Sequence, residues 1–393
     1  MTAQAVTTQA IPTPWQPLFE RLIGELDGQS SPDWQMPNTT LDPSIYRDPE
    51  RFAAERDRLF RRLPLCVGHV DQLAEPGSVL ALDLCGVPVL LVRGRDGELR
   101  CFLNVCRHRG ARLVIDEGTV CRKQSLVCPY HAWTYRLDGS LAGLPRAEAF
   151  PDLERHTLGL RALPCAVRHG LIWIVLDPTA DAVLDIAGHL GALDRELEAI
   201  GLGNHRVYRQ RAQRRAANWK LIIDAFLEVY HVRRLHAGTI GPFFVDAVAV
   251  NDSVGCHVRS LIARETTPEI RGLPPQQWNP QVHATLVHFI FPNSVLIYHP
   301  DYISHLGLFP AAPDETLFVH TMLIPEAPAD EKAAAHWQRS FDLIDAGVFD
   351  KEDLVVCEAI QRGLASGAND AMIVGQLEQN LQRFHSTVDA ALR

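Results

Sequence analysis

The sequence predicts an α+β protein of two domains: a small antiparallel β domain, then a larger domain in which antiparallel strands pack with a long helix. Three observations predict it. Between residues 62 and 166, short β-branched or leucine-rich runs, 79–84 and 87–92 among them, are punctuated by Cys85-Gly86, Asp96-Gly97 and Asp138-Gly139, the dipeptides of tight hairpins. After Asp177-Pro178 the pattern turns helical, then returns to strands at 285–291, 294–298, 305–309 and 317–323. Beyond them Trp337, Phe341, Ile344 and Val348 recur at helical spacing and lay one apolar stripe along a long helix. At 393 residues the chain is long for one core and sufficient for two.

Taken in order, residues 1–35 are rich in Thr, Gln, Pro and Ser with one helical patch at 18–26, and read as a loosely attached arm. The stretch 46–62 reads as helical. Residues 1–61 are therefore expected to form an arm and helix that pack with the second domain, 62–166 the β domain, and 167–393 the second domain. Hydrophobic residues make up 47% and charged residues 22%, as in an ordinary soluble protein. A formal net charge of −9 argues against a nucleic-acid partner, which would need a basic surface. The longest strand-like apolar run, 171–176, is far short of the ~20 residues that span a bilayer. The N-terminus shows no basic segment followed by an apolar stretch, so the nine cysteines are expected to stay reduced, in the cytoplasm.

Two of those cysteines stand in a special pattern. Cys106-Arg107-His108 and Cys128-Pro129-Tyr130-His131 pair a thiolate with an imidazole on each of two short loops. Two cysteines on one iron and two histidines on the other are the ligands of a Rieske [2Fe–2S] centre, in which the imidazoles raise the reduction potential. The same four residues also offer two sulfurs and two nitrogens to one tetrahedral zinc. Strand-like sequence before each pair favours the cluster.

A second set follows Asn218-Trp219-Lys220. Asp224, Glu228 and His231 are spaced by four and three and are expected on one helix face. His236 falls about 140° away on a regular helix, so the helix must bend just after His231 for both histidines to meet one metal. Two imidazoles and a carboxylate form the facial triad of non-haem Fe(II), with positions left open for O₂ and substrate. The carboxylate must come from elsewhere, and Asp350, Glu352 and Asp353 are candidates that spacing alone does not separate. Asp224 is expected to orient an iron-bound imidazole.

The stretch from Cys106 to Gly143 resembles the Rieske domain of ring-hydroxylating oxygenase large subunits, whose usual pattern is C-x-H-R-G with C-P-Y-H-G-W; Ala132 stands here in place of the second motif's glycine. Glu352-Asp353, ahead of Glu358 and Gln361, resembles the E-D-x-x-x-x-E-x-x-Q region supplying the family's third iron ligand, which makes Asp353 the leading candidate with Asp350 and Glu352 as competitors; with the His231/His236 segment, the resemblance runs from about Tyr46 to the C-terminus. It is to the terminal oxygenase α subunits of Rieske non-haem iron oxygenases.

The resemblance implies a Rieske domain joined to a helix-grip catalytic domain and a homotrimer, with or without a β subunit. It also implies electrons from NAD(P)H through a partner reductase, directly or by way of a ferredoxin, that reach the iron across a subunit interface. A bridging acid, usually Asp, links the two metal sites there; Glu228 occupies that position with one more methylene. Arg107, Arg109, Arg112, Arg122 and Lys123 around the loops suit docking of an acidic electron donor or a solvated face.

For the substrate, a small molecule, hydroxylation of an aromatic compound or aromatic acid is the first expectation. Phe226, Leu227, Phe243, Phe244, Phe289 and Phe291 are candidates for pocket or core, and Arg233 and Arg234 for a substrate carboxylate or structural ion pairs. Oxidative N- or O-demethylation, including that of a quaternary ammonium compound, is the alternative, and an aromatic cage near the iron would favour it. An iron–sulfur electron-transfer protein without oxygenase activity is the reading from a different class.

Overall fold

Val87–Arg93 and Ser78–Leu84 pair antiparallel about Cys85-Gly86, where both residues have positive φ, 53° and 78°, the type I′ geometry that suits the twist of flanking strands. This hairpin sits inside a five-stranded sheet in the order Ala162–Leu163, Leu99–Leu103, Val87–Arg93, Ser78–Leu84, Val120–Arg122. Cys165–Arg168, Leu171–Ile174 and Leu65–His69 form a second sheet, and Leu126–Val127, Thr134–Tyr135 and Leu141–Gly143 a third. The computed structural model describes residues 15–28, 37–180 and 183–393.

The second half is built on a seven-stranded antiparallel sheet, in the order Arg206–Arg215, Glu315–Ile324, Ile303–Ala312, Ser294–Tyr298, Ala284–Ile290, His257–Arg264, Phe244–Val254. The four strands expected between 285 and 323 are its centre. The other three were not legible as strands.

One continuous helical run lies on this sheet: an α-helix Glu331–Phe341, a π-helical stretch Asp342–Asp353 and an α-helix Leu354–Leu364. Its stripe Trp337, Phe341, Ile344 and Val348 is buried in one core with Phe289, Leu306, Leu308, Phe318 and Met322 of the sheet. The chain therefore has the α+β architecture of an antiparallel β domain joined to a sheet gripping a long helix.

The helix Trp219–Phe226 packs against Leu354–Leu364. Asn218 caps it, its Oδ1 accepting from the Lys220 N–H at 3.0 Å while its Nδ2 donates to the Pro313 carbonyl at 2.7 Å. Trp219 Nε1 and Lys220 Nζ both donate to Glu55 Oε2, at 2.9 and 2.7 Å, so the Asn-Trp-Lys segment ties the helix Pro49–Glu55 to the second half.

The stretch expected to be helical at 46–62 is that helix, extended by a π turn Arg56–Phe60. The patch expected in a loose arm is the helix Gln16–Leu26. It is not loose: Leu18, Phe19 and Leu22 are buried against Phe244–Val254 and His257–Arg264, and Arg21 pairs with Asp252 at 2.6 Å. The rest of that arm, 1–14 and 29–35, lies outside the described residues.

His257, at the start of one sheet strand, fixes a pH dependence. Its Nε2–H donates to the His189 carbonyl at 2.8 Å and its Nδ1 accepts from the Phe291 N–H at 3.0 Å, so a second ring proton would face a donor. Burial pushes the folded-state pKa from 6.5 down to about 4. Between those values the unfolded chain binds the extra proton, so the unfolding free energy is expected to fall as pH falls through that window, by ~3 kcal/mol from this group. Urea unfolding of the protein and of His257→Asn across pH 4–6.5 tests this: the variant's profile should be flatter by that amount, and parallel profiles would remove His257 as the cause.

Candidate active site

Two loops of the β domain have the same hydrogen-bond pattern. The Cys106 N–H donates to the Ala111 carbonyl and the Gly110 N–H to the Cys106 carbonyl; the Cys128 N–H donates to Trp133 and the Ala132 N–H to Cys128, all at 2.8–3.0 Å. Gly110 and Ala132 both have positive φ, 79° and 57°. Ala132 thus holds the left-handed turn its loop needs, at a steric cost of ~1 kcal/mol that glycine would avoid.

Cys106 and Cys128 are buried free thiols. Burial pushes the Cys106 thiol up and the neighbouring Cys128 adds to this, against the opposing hydrogen bond of the Tyr135 hydroxyl at 3.3 Å. His108 stacks on Trp133 with centroids 4.9 Å apart, and its Nδ1 faces His131 Nδ1 at 3.1 Å. Burial, then His131 and Arg109, lower the His108 pKa, which favours the neutral, metal-binding form.

The four residues fit a two-iron cluster better than one zinc ion. A single tetrahedral ion with bonds of ~2.0–2.3 Å draws its donors within about 4 Å of one another. Yet among the described residues, the only group of three or more such side chains with all donor atoms within 4.8 Å is His231, His236 and Asp353. The wider spread of the Cys/His set leaves room for two irons.

The second site forms where the helix Trp219–Phe226 ends. Asp224, Glu228 and His231 do not share a helix face, because the helix stops at Phe226 and a new short one, Val232–Leu235, begins after His231. This break, earlier than expected, turns both imidazoles toward the long helix. Asp353, at the end of the π-helical stretch, lies with its buried Oδ1 3.7 Å from His231 Nε2 and 3.1 Å from His236 Nε2. That oxygen has no hydrogen-bond partner among the described residues, as expected of a carboxylate placed to bind a cation. The opposite ring nitrogens are held by acids: His231 Nδ1 by Glu228 Oε1, and His236 Nδ1 by Glu352 Oε2 at 2.6 Å. An imidazole whose Nδ1–H is fixed this way presents Nε2 to a metal.

The competing carboxylates are thereby separated. Asp350 is engaged by Arg211 and Arg215, and Glu352 holds the far side of His236. Asp224 must be reassigned. Its carboxylate accepts from the Tyr46 hydroxyl at 2.6 Å and lies 3.0 Å from His385 Nε2, because the helix ends before it could face His231. Asp224→Asn is accordingly expected to cost ~1.5–3 kcal/mol of stability by weakening a buried charged hydrogen bond while mononuclear iron stays bound. Iron loss at unchanged stability, read by metal analysis and chemical denaturation, would return Asp224 to the site.

A cavity of about 260 Å³ opens beside the triad, lined by Phe226, Phe243, Phe244, Tyr302, Phe349 and Arg264 together with the triad itself. Leu227, Phe289 and Phe291, the other pocket candidates, belong to the core. Arg233 and Arg234 do not face a ligand: they pair with Glu265 and Asp246, each at 2.7 Å. Arg112 is similarly engaged by Asp83 and Glu117. Three contributors went unrecognised in the sequence: Glu352 as a partner to His236, the Tyr46–Asp224–His385 bridge, and Arg264. Only Glu352 had a signal, its place beside Asp353.

The Rieske [2Fe-2S] domain family model matches residues 64–162, and that of the ring hydroxylating alpha subunit (catalytic domain) matches 202–393. The carnitine monooxygenase oxygenase subunit of Escherichia coli (strain K12) is 29% identical over 354 residues, covering 86% of this chain and 89% of the relative. The chloroplastic choline monooxygenase of Spinacia oleracea is 26% identical over 411 residues, covering 100% and 88%. The structure of the quaternary ammonium Rieske monooxygenase CntA in complex with L-carnitine shares the fold, with a TM-score of 0.75 at 24% identity over 90% of this chain and 96% of that one.

Among the described residues no helix is long and apolar enough to cross a membrane. The cofactors are a Rieske cluster and a mononuclear non-haem iron that works with O₂. Two metal-binding halves of these two families in one chain leave a single assignment: the protein belongs to the Rieske non-haem iron oxygenases, as an α subunit.

Proposed function

We propose that the protein is the terminal oxygenase for a quaternary ammonium compound, which it oxidises to bring about N-demethylation or C–N cleavage. The observation that carries this reading is that the relatives matching most of the chain are named for carnitine and choline. The cavity supports it: Phe226 and Phe349 meet edge to face, centroids 5.6 Å apart, in the wall beside His231, His236 and Asp353, and aromatic faces attract an alkylammonium group. Hydroxylation of an aromatic compound, the first expectation from sequence, has no comparable support among these relatives.

His231, His236 and Asp353 would hold the iron, and Cys106, Cys128, His108 and His131 the cluster. The iron supplies reductive activation of O₂; the chain supplies position and a dry wall. Glu228 accepts from His231 Nδ1 through Oε1 and from the backbone N–H groups of Tyr230 and His231 through Oε2. A carboxylate with about four lone-pair sites can accept one hydrogen bond more, and the Nε2 atoms of His108 and His131 have no partner among the described residues. A bridge from Glu228 to a neighbouring subunit's cluster histidine in a homotrimer follows, with electrons supplied by a reductase. The division into 62–166 and 167–393 leaves one metal-holding part on each side, but it cuts the strand Cys165–Arg168, and Leu171–Ile174 pairs back with Leu65–His69, so the first domain is better ended after that sheet.

Turnover with a compatible reductase, NADH and O₂ tests the reading, with carnitine, choline, glycine betaine, naphthalene and benzoate offered in parallel and products read by mass spectrometry. Oxidation of an ammonium compound is expected. A diol or phenol from an aromatic substrate, with every ammonium compound untouched, would overturn it.

A further inference from the structure

Arg264 ends the strand His257–Arg264 and faces the cavity. Among the described residues it is the only lysine or arginine that lines the cavity. Unlike Arg233 and Arg234 it has no carboxylate partner among the described residues. Its one side-chain hydrogen bond is a long one, 3.4 Å from Nη1 to Thr285 Oγ1, and the Phe244 ring covers one side with the guanidinium carbon 5.6 Å from its centroid. A guanidinium cannot shed its charge in a protein. Partly withdrawn from water, with most of its N–H donors unused, it is a fork set for a planar anion.

The rest of the lining leaves the role open to a ligand. His299, stacked on Tyr302 with centroids 4.2 Å apart, is kept neutral by burial, with His320 and Arg264 adding to the effect. The acids of the lining, Glu228 and Asp353, lie against His231 and His236. One cavity thus has two carboxylates and two imidazoles at the metal site and an uncompensated cation elsewhere on its wall. Its volume, below the ~300–1,000 Å³ of drug-sized sites, suits a compact ligand.

We propose that Arg264 is the anion-binding residue of this cavity and that the substrate is a zwitterion, a quaternary ammonium compound bearing a carboxylate that Arg264 holds. The inference rests on the proposed function for the ammonium half and on Arg264 alone for the carboxylate half. Selectivity then follows: a trimethylammonium alcohol would leave the guanidinium unpaired, a penalty a carboxylate avoids.

Calorimetric titration of the oxidised, iron-loaded protein separates the two halves. The probes are glycine betaine, choline, and 3,3-dimethylbutyrate, which replaces the ammonium nitrogen of glycine betaine with carbon. The unaltered protein should bind glycine betaine at least 10-fold tighter than choline. Arg264→Met should weaken glycine betaine by about 30-fold and choline by less than 3-fold, with Arg264→Lys in between and thermal unfolding of both variants close to that of the parent.

Choline binding as tightly as glycine betaine, no binding of either carboxylate, or an Arg264→Met variant that binds glycine betaine unchanged would overturn the inference. If 3,3-dimethylbutyrate binds as well as glycine betaine and Arg264→Met loses both, the anion site stands and the quaternary ammonium reading falls.

Discussion

Asp353→Ala is expected to reduce turnover by at least about 10³-fold and to release the mononuclear iron while the cluster keeps its colour. Iron should fall from about three atoms per chain to about two, the content of the cluster alone. The loss should exceed the ~10–100-fold typical of an outer hydrogen-bond partner, because the partnerless Oδ1 faces both imidazole Nε2 atoms directly.

Neighbouring acids are the controls. Asp350→Ala should remove ion pairs to Arg211 and Arg215 and lower stability with iron retained. Glu352→Ala should free the His236 Nδ1 side and weaken iron binding within that ~10–100-fold range. Iron analysis with the visible spectrum separates the three. Full iron and activity in Asp353→Ala would move the ligand elsewhere.

Glu228→Gln is expected to leave both metals in place and still to cut product formation by about 100-fold or more, the upper end for an outer partner. Both carboxylate oxygens already accept from donors, Oε1 from the His231 ring and Oε2 from two backbone N–H groups. An amide has one acceptor oxygen, so its NH₂ must oppose one of those donors, and it offers no good acceptor to an imidazole arriving from a neighbouring subunit. Dithionite should still bleach the cluster, while product fails to form in a single turnover with substrate and O₂. A normal yield would reduce Glu228 to a local support for His231.

Candidate site residues in short, rigid contexts were legible without coordinates. The two Cys/His loops stand out because loop geometry and metal bonding both demand those residues at those spacings. Asp353 was reached only through the company of other motifs, since an acid pair on a helix is usually a solvated face.

Three failures have physical causes. The strand Arg206–Arg215 carries five arginines and no fully buried residue; it is an edge strand of the kind that charge protects from further pairing, so it lacks alternation. Asp224 was assigned by extending an ideal helix past Phe226, where the chain in fact turns. Arg264 could not be found at all, because what distinguishes it is the partner it lacks, and only a folded wall shows that. The Arg233/Arg234 pair, more conspicuous in sequence, is neutralised by Glu265 and Asp246.

The π-helical stretch Asp342–Asp353 has a consequence for how this enzyme can change. Its wider turns bring two consecutive acids to opposite edges of one imidazole, Glu352 to Nδ1 and Asp353 to Nε2 of His236. The carboxylate proposed as the iron's third ligand is therefore placed by a count of residues as much as by their identity. Removing one residue from the run would let it tighten toward an α-helix and carry Asp353 about 100° around the axis, with every ligand still present in the sequence. A family evolving by substitution could keep this centre indefinitely, whereas one evolving by single-residue deletions would lose it in a step that a catalogue of conserved residues would not register.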